Sequence, residues 1–197
     1  MAKKASHENV LKVKKLLTDE NGNKAMVMEL AEGGSLESRI TQHGLSEREM
    51  KPIVRQLVAA LVHFEKMEIA HLDIKPENIL FDKNDKPMFC DFGLALNFSD
   101  FGEMKKMNAP ARGSGFFMAP EMIAQQWNNM KKADIYSFGL MVIEMLVGIK
   151  DTPAAELAEF KQSASDSLKS FVVAATQVNV QQRATAQQLL QHRWLRE

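Results

Sequence analysis

The chain has 197 residues, enough for one domain with a buried core. Its 25 Lys and Arg balance its 25 Asp and Glu, which excludes the charge excess that draws a protein to nucleic acid or a membrane surface. A single cysteine allows no internal disulfide and fits a reducing compartment. No stretch reads as a signal peptide or a membrane span, so the cytoplasm is the expected location, with the nucleus also open.

In chain order, residues 10–17 (Val-Leu-Lys-Val-Lys-Lys-Leu-Leu) read as a strand. The cluster Asp19-Glu-Asn-Gly-Asn23 reads as a turn, and residues 25–30 as the return strand of an antiparallel hairpin. The run Val27-Met28-Glu29-Leu30-Ala31-Glu32 ends in a Gly33-Gly34 turn. Ser35 is placed to cap a short helix ending at Gly44. Ser46-x-x-Glu49 is a capping-box pattern, and behind it Met50, Val54, Leu57, Leu61 and Phe64 recur at helical spacing. Pro52 sits too deep for a strain-free start at Glu47, which predicts a start nearer Lys51 or a kink.

Ile69-Ala70 and Ile79-Leu80-Phe81 read as short buried strands. Between them Pro76 keeps Lys75 out of the right-handed helical region, so residues 71–78 form a loop. Asp82-Lys-Asn-Asp-Lys86 is a turn, and Met88-Phe89-Cys90 leads into Asp91. Residues 133–147 are apolar nearly all round, which predicts a central buried helix; fifteen residues containing Asp134 and Glu144 are not a membrane span. Residues 154–164 and 167–177 read as two further helices. Thr185-x-x-Gln188 caps the last one, which is expected to end near His192-Arg193-Trp194.

The loop His71-Leu72-Asp73-Ile74-Lys75-Pro76-Glu77-Asn78 packs an acid, a cation and an amide into eight residues, and Asp91-Phe92-Gly93 follows thirteen residues after Asn78. Asp73, Lys75, Asn78 and Asp91 are a set suited to phosphoryl transfer. One carboxylate orients a hydroxyl, one cation meets a phosphate, and an amide and a second carboxylate hold Mg²⁺. The loop resembles the catalytic loop of eukaryotic protein kinases, with Leu72 where that family usually has Arg. Asp91-Phe92-Gly93 resembles the family's metal-binding motif, and Ala119-Pro120-Glu121 the motif that closes its activation segment. Three motifs in this order and at this spacing are specific, where any one alone is weak.

The resemblance implies an α+β fold: a protein-kinase-like C-lobe, mostly α-helical, with a small remnant β N-lobe. Residues 1–31 would be the remnant hairpin and hinge. Residues 32–197 would be the C-lobe, with its catalytic loop at 71–78 and activation segment at 91–121. ATP and Mg²⁺ are the implied cofactors and a protein the implied substrate. By the same resemblance Asp73 orients the attacking hydroxyl, Lys75 neutralises the transferred phosphoryl group, and Asn78 and Asp91 hold the metal. Met28 is the gatekeeper, backbone groups of Glu29 and Ala31 meet adenine, and Leu80 lines the floor beneath it. Ser114 matches a substrate-facing hydroxyl near Asp73 and Lys75, although Gly113-Ser114-Gly115 reads equally as a turn. Glu121 and Arg183 match an ion pair that anchors the activation segment, and Asp134 an acceptor for catalytic-loop backbone. Lys75 followed by Pro-Glu-Asn is similar to serine/threonine kinases, and Glu77 hints at a basic residue near the phosphosite.

The chain departs from the family in two ways. Leu72 replaces Arg, and residues 94–118 offer only Ser99 and Ser114 as hydroxyls, which points away from control by loop phosphorylation. No Gly-x-Gly-x-x-Gly occurs, and there is no room before Met28 for the family's strand-3 lysine and its glutamate partner. The expectation is therefore an N-terminally truncated serine/threonine kinase, with a truncated pseudokinase serving as a binding module as the alternative. A small-molecule phosphotransferase fits less well, because Glu121, Asp134 and Arg183 would organise a peptide-binding segment. A two-stranded hairpin carrying Val10, Leu11, Val13, Leu16, Leu17, Met26, Val27 and Met28 is marginal alone. It predicts a partner chain, self-association or local disorder over residues 1–30.

Overall fold

A computed structural model describes residues 5–40, 43–100, 115–150 and 152–197. The first two strands, β1 (Val13–Thr18) and β2 (Lys24–Met28), form the expected antiparallel hairpin, closed by a turn whose amides at Asn21 and Asn23 are held by Asp19. It begins at Val13 and not at Val10. Asn9, Val10 and Leu11 pair sideways with the later strand at Phe89 instead, through Leu11 N–H to Phe89 O (2.9 Å) and Phe89 N–H to Asn9 O (2.9 Å). This buries Val10 and Leu11 against the helical body, while Leu16, Leu17, Met26, Val27 and Met28 stay exposed.

The first helix, α1, covers only Leu36–Arg39, with Ser35 Oγ accepting from Ser38 N–H. It does not reach Gly44. That glycine lies at φ +68°, where a Cβ would stand 2.0 Å from Leu146 O, so it lets the loop pass close against the central helix and is not a helix cap.

The long helix α2 (Glu47–Lys66) starts at Glu47, with Pro52 inside it, and not near Lys51. The capping box of Ser46 and Glu49 satisfies the first turn. The Glu47 carboxylate is also held from a distance by Ser165 N–H (2.8 Å), Ser165 Oγ (2.9 Å) and Trp194 Nε1 (2.7 Å). These contacts outweigh the one backbone bond that Pro52 cannot donate.

Four short strands follow: β3 (Ile69–Ala70), β4 (Ile79–Phe81), β5 (Pro87–Phe89) and β6 (Leu96–Asn97). They pair β3 with β6 and β4 with β5. Loop 71–78 leaves β3 and enters β4; loop 90–95 leaves β5 and enters β6. The two ladders therefore hold the polar loops side by side.

Beyond them come α3 (Pro120–Ile123) and the central helix α4 (Ala133–Val147), which matches its predicted bounds and is buried on nearly every side. Helices α5 (Pro153–Ser163) and α6 (Asp166–Ala175) pack on α4, and α7 (Ala186–Leu190) packs on α2. The last predicted helix is in fact two. After α7 the chain breaks, and His192 caps α8 (Arg193–Arg196), its ring accepting from Trp194 N–H. The break lets Trp194 enter the core beside Phe171, at 5.0 Å between ring centres. The α+β class read from the sequence holds, with a main core built on α2, α4, α6 and α7.

Candidate active site

The site is built around one buried carboxylate. Asp134, in the first turn of α4, accepts hydrogen bonds from the amides of His71 (2.7 Å) and Leu72 (2.8 Å). Burial pushes its carboxyl above the usual carboxylate range, while the nearby His71 and the two amide bonds act the other way. The bonds hold a loop that would not adopt its shape unaided. Leu72 lies at φ +64° and Asp91 at φ +56°, in the left-handed region where a residue bearing a Cβ costs about 1–2 kcal/mol.

His71, also fully buried, ties the two polar loops together. Its Nε2 faces Cys90 O at 2.8 Å, and its Nδ1 accepts from Asp73 N–H at 3.3 Å. Phe92 packs tilted against the same ring, at 4.6 Å between centres, and meets Phe64 edge-on at 5.7 Å. The Asp91 loop thereby rests on the core through its apolar member.

The structure brings three of the predicted residues into one cluster. Asn78 Nδ2 donates to Asp73 O and to Asp73 Oδ2, both at 2.8 Å. Lys75 Nζ stands 3.6 Å from the same Oδ2. Spending the Asn78 amide nitrogen on Asp73 leaves its oxygen as the end for a cation. Asp91 is exposed and accepts Gly93 N–H at Oδ1 (3.1 Å). The neighbouring loops thus offer an amide and a carboxylate oxygen, the hard donors Mg²⁺ prefers. Cys90, half-buried, stands directly before Asp91. Burial first, then the charges of Asp91 and Asp73, push its thiol up to about 11.

The residues that the resemblance assigns to adenine lie on β2, in the turn after it and on β4. Leu80 is half-buried in β4 and bridges to Ser35. Met28 is exposed at the end of β2, with Glu29 and Ala31 half-buried after it. The Glu29 N–H is spent on Lys12 O (3.0 Å), so of its backbone groups only the carbonyl remains for a ligand. Gly33 and Gly34 stitch this turn to Phe81 by two 2.9 Å backbone bonds, and a Cβ on Gly33 would collide with Phe81 and Asp82 O at 2.7 Å. Sequence reading took these glycines for a turn; the close approach is what requires the first.

Glu121 and Arg183, 62 residues apart, form a buried two-bond ion pair at 2.5 and 2.9 Å. Arg183 also donates to Lys132 O and Gln177 O and lies 5.0 Å from the Tyr136 ring centre. Ser114 lies outside the described residues. Leu72, which the sequence marks only as standing in the place of an arginine, belongs to a second apolar cluster with Ala70, Leu96, Ala119, Met122, Met130 and Ala133. The one sequence signal for it was an apolar residue inside a polar loop.

Residues 1–195 match the protein kinase domain. The chain is 31% identical to the serine/threonine-protein kinase STE11 of Saccharomyces cerevisiae, over 99% of this chain and 29% of that protein. It is 28% identical to sperm motility kinase Z of Mus musculus, over 99% of this chain and 41% of that protein. It is 33% identical to calcium-dependent protein kinase 12 of Oryza sativa subsp. japonica, over 91% of this chain and 36% of that protein. The chain spans 29–41% of the length of these relatives.

Proposed function

The chain belongs to the protein kinase family, and from that premise we propose that it transfers the γ-phosphate of ATP to serine or threonine hydroxyls of a protein. The observation that carries this reading is the Asp73–Asn78–Lys75 cluster, held on a loop whose backbone Asp134 fixes. Asp73 orients the incoming hydroxyl and takes its proton through Oδ1 or Oδ2. Lys75, beside it, meets negative charge on the transferred group. The amide oxygen of Asn78 and the carboxylate of Asp91 would hold Mg²⁺, which when bound neutralises charge on the nucleotide phosphates. The Glu29 carbonyl and the Ala31 backbone would meet adenine, over Leu80. Glu77 shares an acidic surround with Glu37, Glu144 and Glu156, which supports a basic residue near the phosphosite.

The test is transfer of labelled phosphate from Mg-ATP to a basic protein. Label is expected on Ser or Thr and is expected to vanish in Asp73→Asn; phosphotyrosine in the product would overturn the Lys75 assignment. The second reading is a binding module without transfer. It predicts that Mg-ATP raises the melting temperature, that the rise is lost in Asp91→Ala, and that no label is transferred.

A further inference from the structure

Helix α4 buries three polar side chains among its apolar ones: Asp134, Ser137 and Glu144. Asp134 holds the loop at 71–72, and Ser137 stands three residues on, along the same face. A serine inside a helix ordinarily returns its hydroxyl to the carbonyl four residues back. Ser137 Oγ lies 3.3 Å from that carbonyl, Ala133 O, but 2.6 Å from Phe117 O, 20 residues upstream. Its one hydroxyl proton therefore goes to Phe117. No other donor among the described residues meets the Phe117 carbonyl. Phe117 closes the 3-10 turn Gly115–Phe117, which leads through Met118 into Ala119-Pro120-Glu121. Met118 and Ala119 pack with Leu72, the residue before Asp73. Glu121 is tied through Arg183 to Lys132 O, at the start of α4. Residues 117–121 are thus fixed to α4 at both ends, by Ser137 at one and Arg183 at the other.

We propose that Ser137 is a positioning residue for the protein substrate: its hydroxyl sets where residues 115–118 lie against the catalytic loop. The role rests on the reading above of phosphate transfer to a protein. Ser137 is only 3% exposed, in a helix that is otherwise mostly hydrocarbon, where a hydroxyl without a partner is costly and an alanine would pack at no such cost. What the hydroxyl adds is the bond to Phe117. Asp134 and Ser137 carry two segments on one rigid helix, about 4.5 Å apart along its axis, so each segment is placed relative to the other. Phe116 stays 39% exposed and meets Phe117 edge-on at 5.1 Å, so the anchored turn presents an open apolar surface. Ser137 bonds none of the residues assigned to adenine, so its effect falls on the protein substrate and not on the nucleotide.

Steady-state transfer from Mg-ATP to a basic protein, together with amide hydrogen exchange, tests this on the full chain. Alanine favours a helix, so Ser137→Ala keeps the fold. In that variant KM for the protein is expected to rise about three- to tenfold, with KM for ATP changed less than about twofold. Ser137→Thr restores the hydroxyl and is expected to return KM toward the parent value. The Met118 amide, which donates to Gly115 O, is expected to exchange faster in Ser137→Ala, while the Ala124 amide, which donates to Pro120 O, keeps its rate. An unchanged KM for the protein, equal rises in both KM values, or a rise that Ser137→Thr leaves in place overturns the role in substrate positioning. Unchanged exchange at Met118 overturns the anchor itself. That readout needs no transfer, so a parent chain that labels nothing overturns the phosphotransfer reading while exchange still decides the anchor.

Discussion

Asp134 does at one position what the loop around it cannot do alone. It turns two adjacent amides, His71 and Leu72, toward one carboxylate and so holds Leu72 in the left-handed region. Asp134→Asn keeps the volume but sets an NH₂ group against one of those amides. The expected cost is about 1–3 kcal/mol for the buried donor left unsatisfied. Hydrogen exchange would report it as faster exchange at residues 71 and 72 with little change in α6, and uniform change across the chain would contradict the local role. Cys90 makes a second prediction at this scale. With its thiol pushed up to about 11, alkylation at pH 7.5 should run well over tenfold slower than for a free cysteine in the same buffer. Asp91→Ala should speed it, because one of the two repelling carboxylates is gone. A rate equal to free cysteine would place the thiol outside its buried setting.

Between elements, the tie that matters is Glu121 to Arg183, joining α3 to the loop before α7. Both side chains are almost wholly buried, so removing one leaves an uncompensated charge inside the protein. Arg183→Met or Glu121→Leu alone should each cost about 3–5 kcal/mol, and the double variant less than the sum of the two. Urea unfolding of the four proteins measures this; strict additivity would mean that the pair does not act as a unit. The other joint at this scale is apolar. Leu72 packs the polar loop against Ala119 and Met122, where the kinase resemblance leads one to expect an arginine that answers to a phosphate. A hydrocarbon contact has no such dependence, which agrees with the scarcity of hydroxyls between residues 94 and 118.

For the molecule as a whole, pH acts through carboxyls that folding buries. Glu144, on α4, is raised to about 7, first by burial and then by Glu156, Glu77 and Glu37. Glu65 and Glu156 are pushed up as well, again by burial. A carboxyl whose folded pKa is raised binds its proton more tightly in the native state. Its contribution to stability is therefore best at low pH, falls as pH rises from about 4.5 to 7, and is fully lost above that. Glu144→Gln should raise the melting temperature at pH 8 by roughly 3–6 °C, or about 1–2 kcal/mol, and change it little at pH 5. An equal shift at both pH values would rule out titration as the cause. The sequence by itself determined the features whose signal is local. The capping boxes at Ser46 and Thr185, the helix at 133–147 and the spacing of Asp73, Lys75, Asn78 and Asp91 all rest on residues a few positions apart, or on motifs fixed in order. Only the tertiary structure decided that Pro52 stays inside α2, that Gly44 lies against Leu146, that Leu72 is buried at positive φ, and that Glu29 keeps just its carbonyl for a ligand. Each of those outcomes depends on partners distant in the chain, as Glu47 depends on Ser165 and Trp194, 118 and 147 residues away. Contacts over such separations leave no periodicity in the sequence, because the folded backbone creates them.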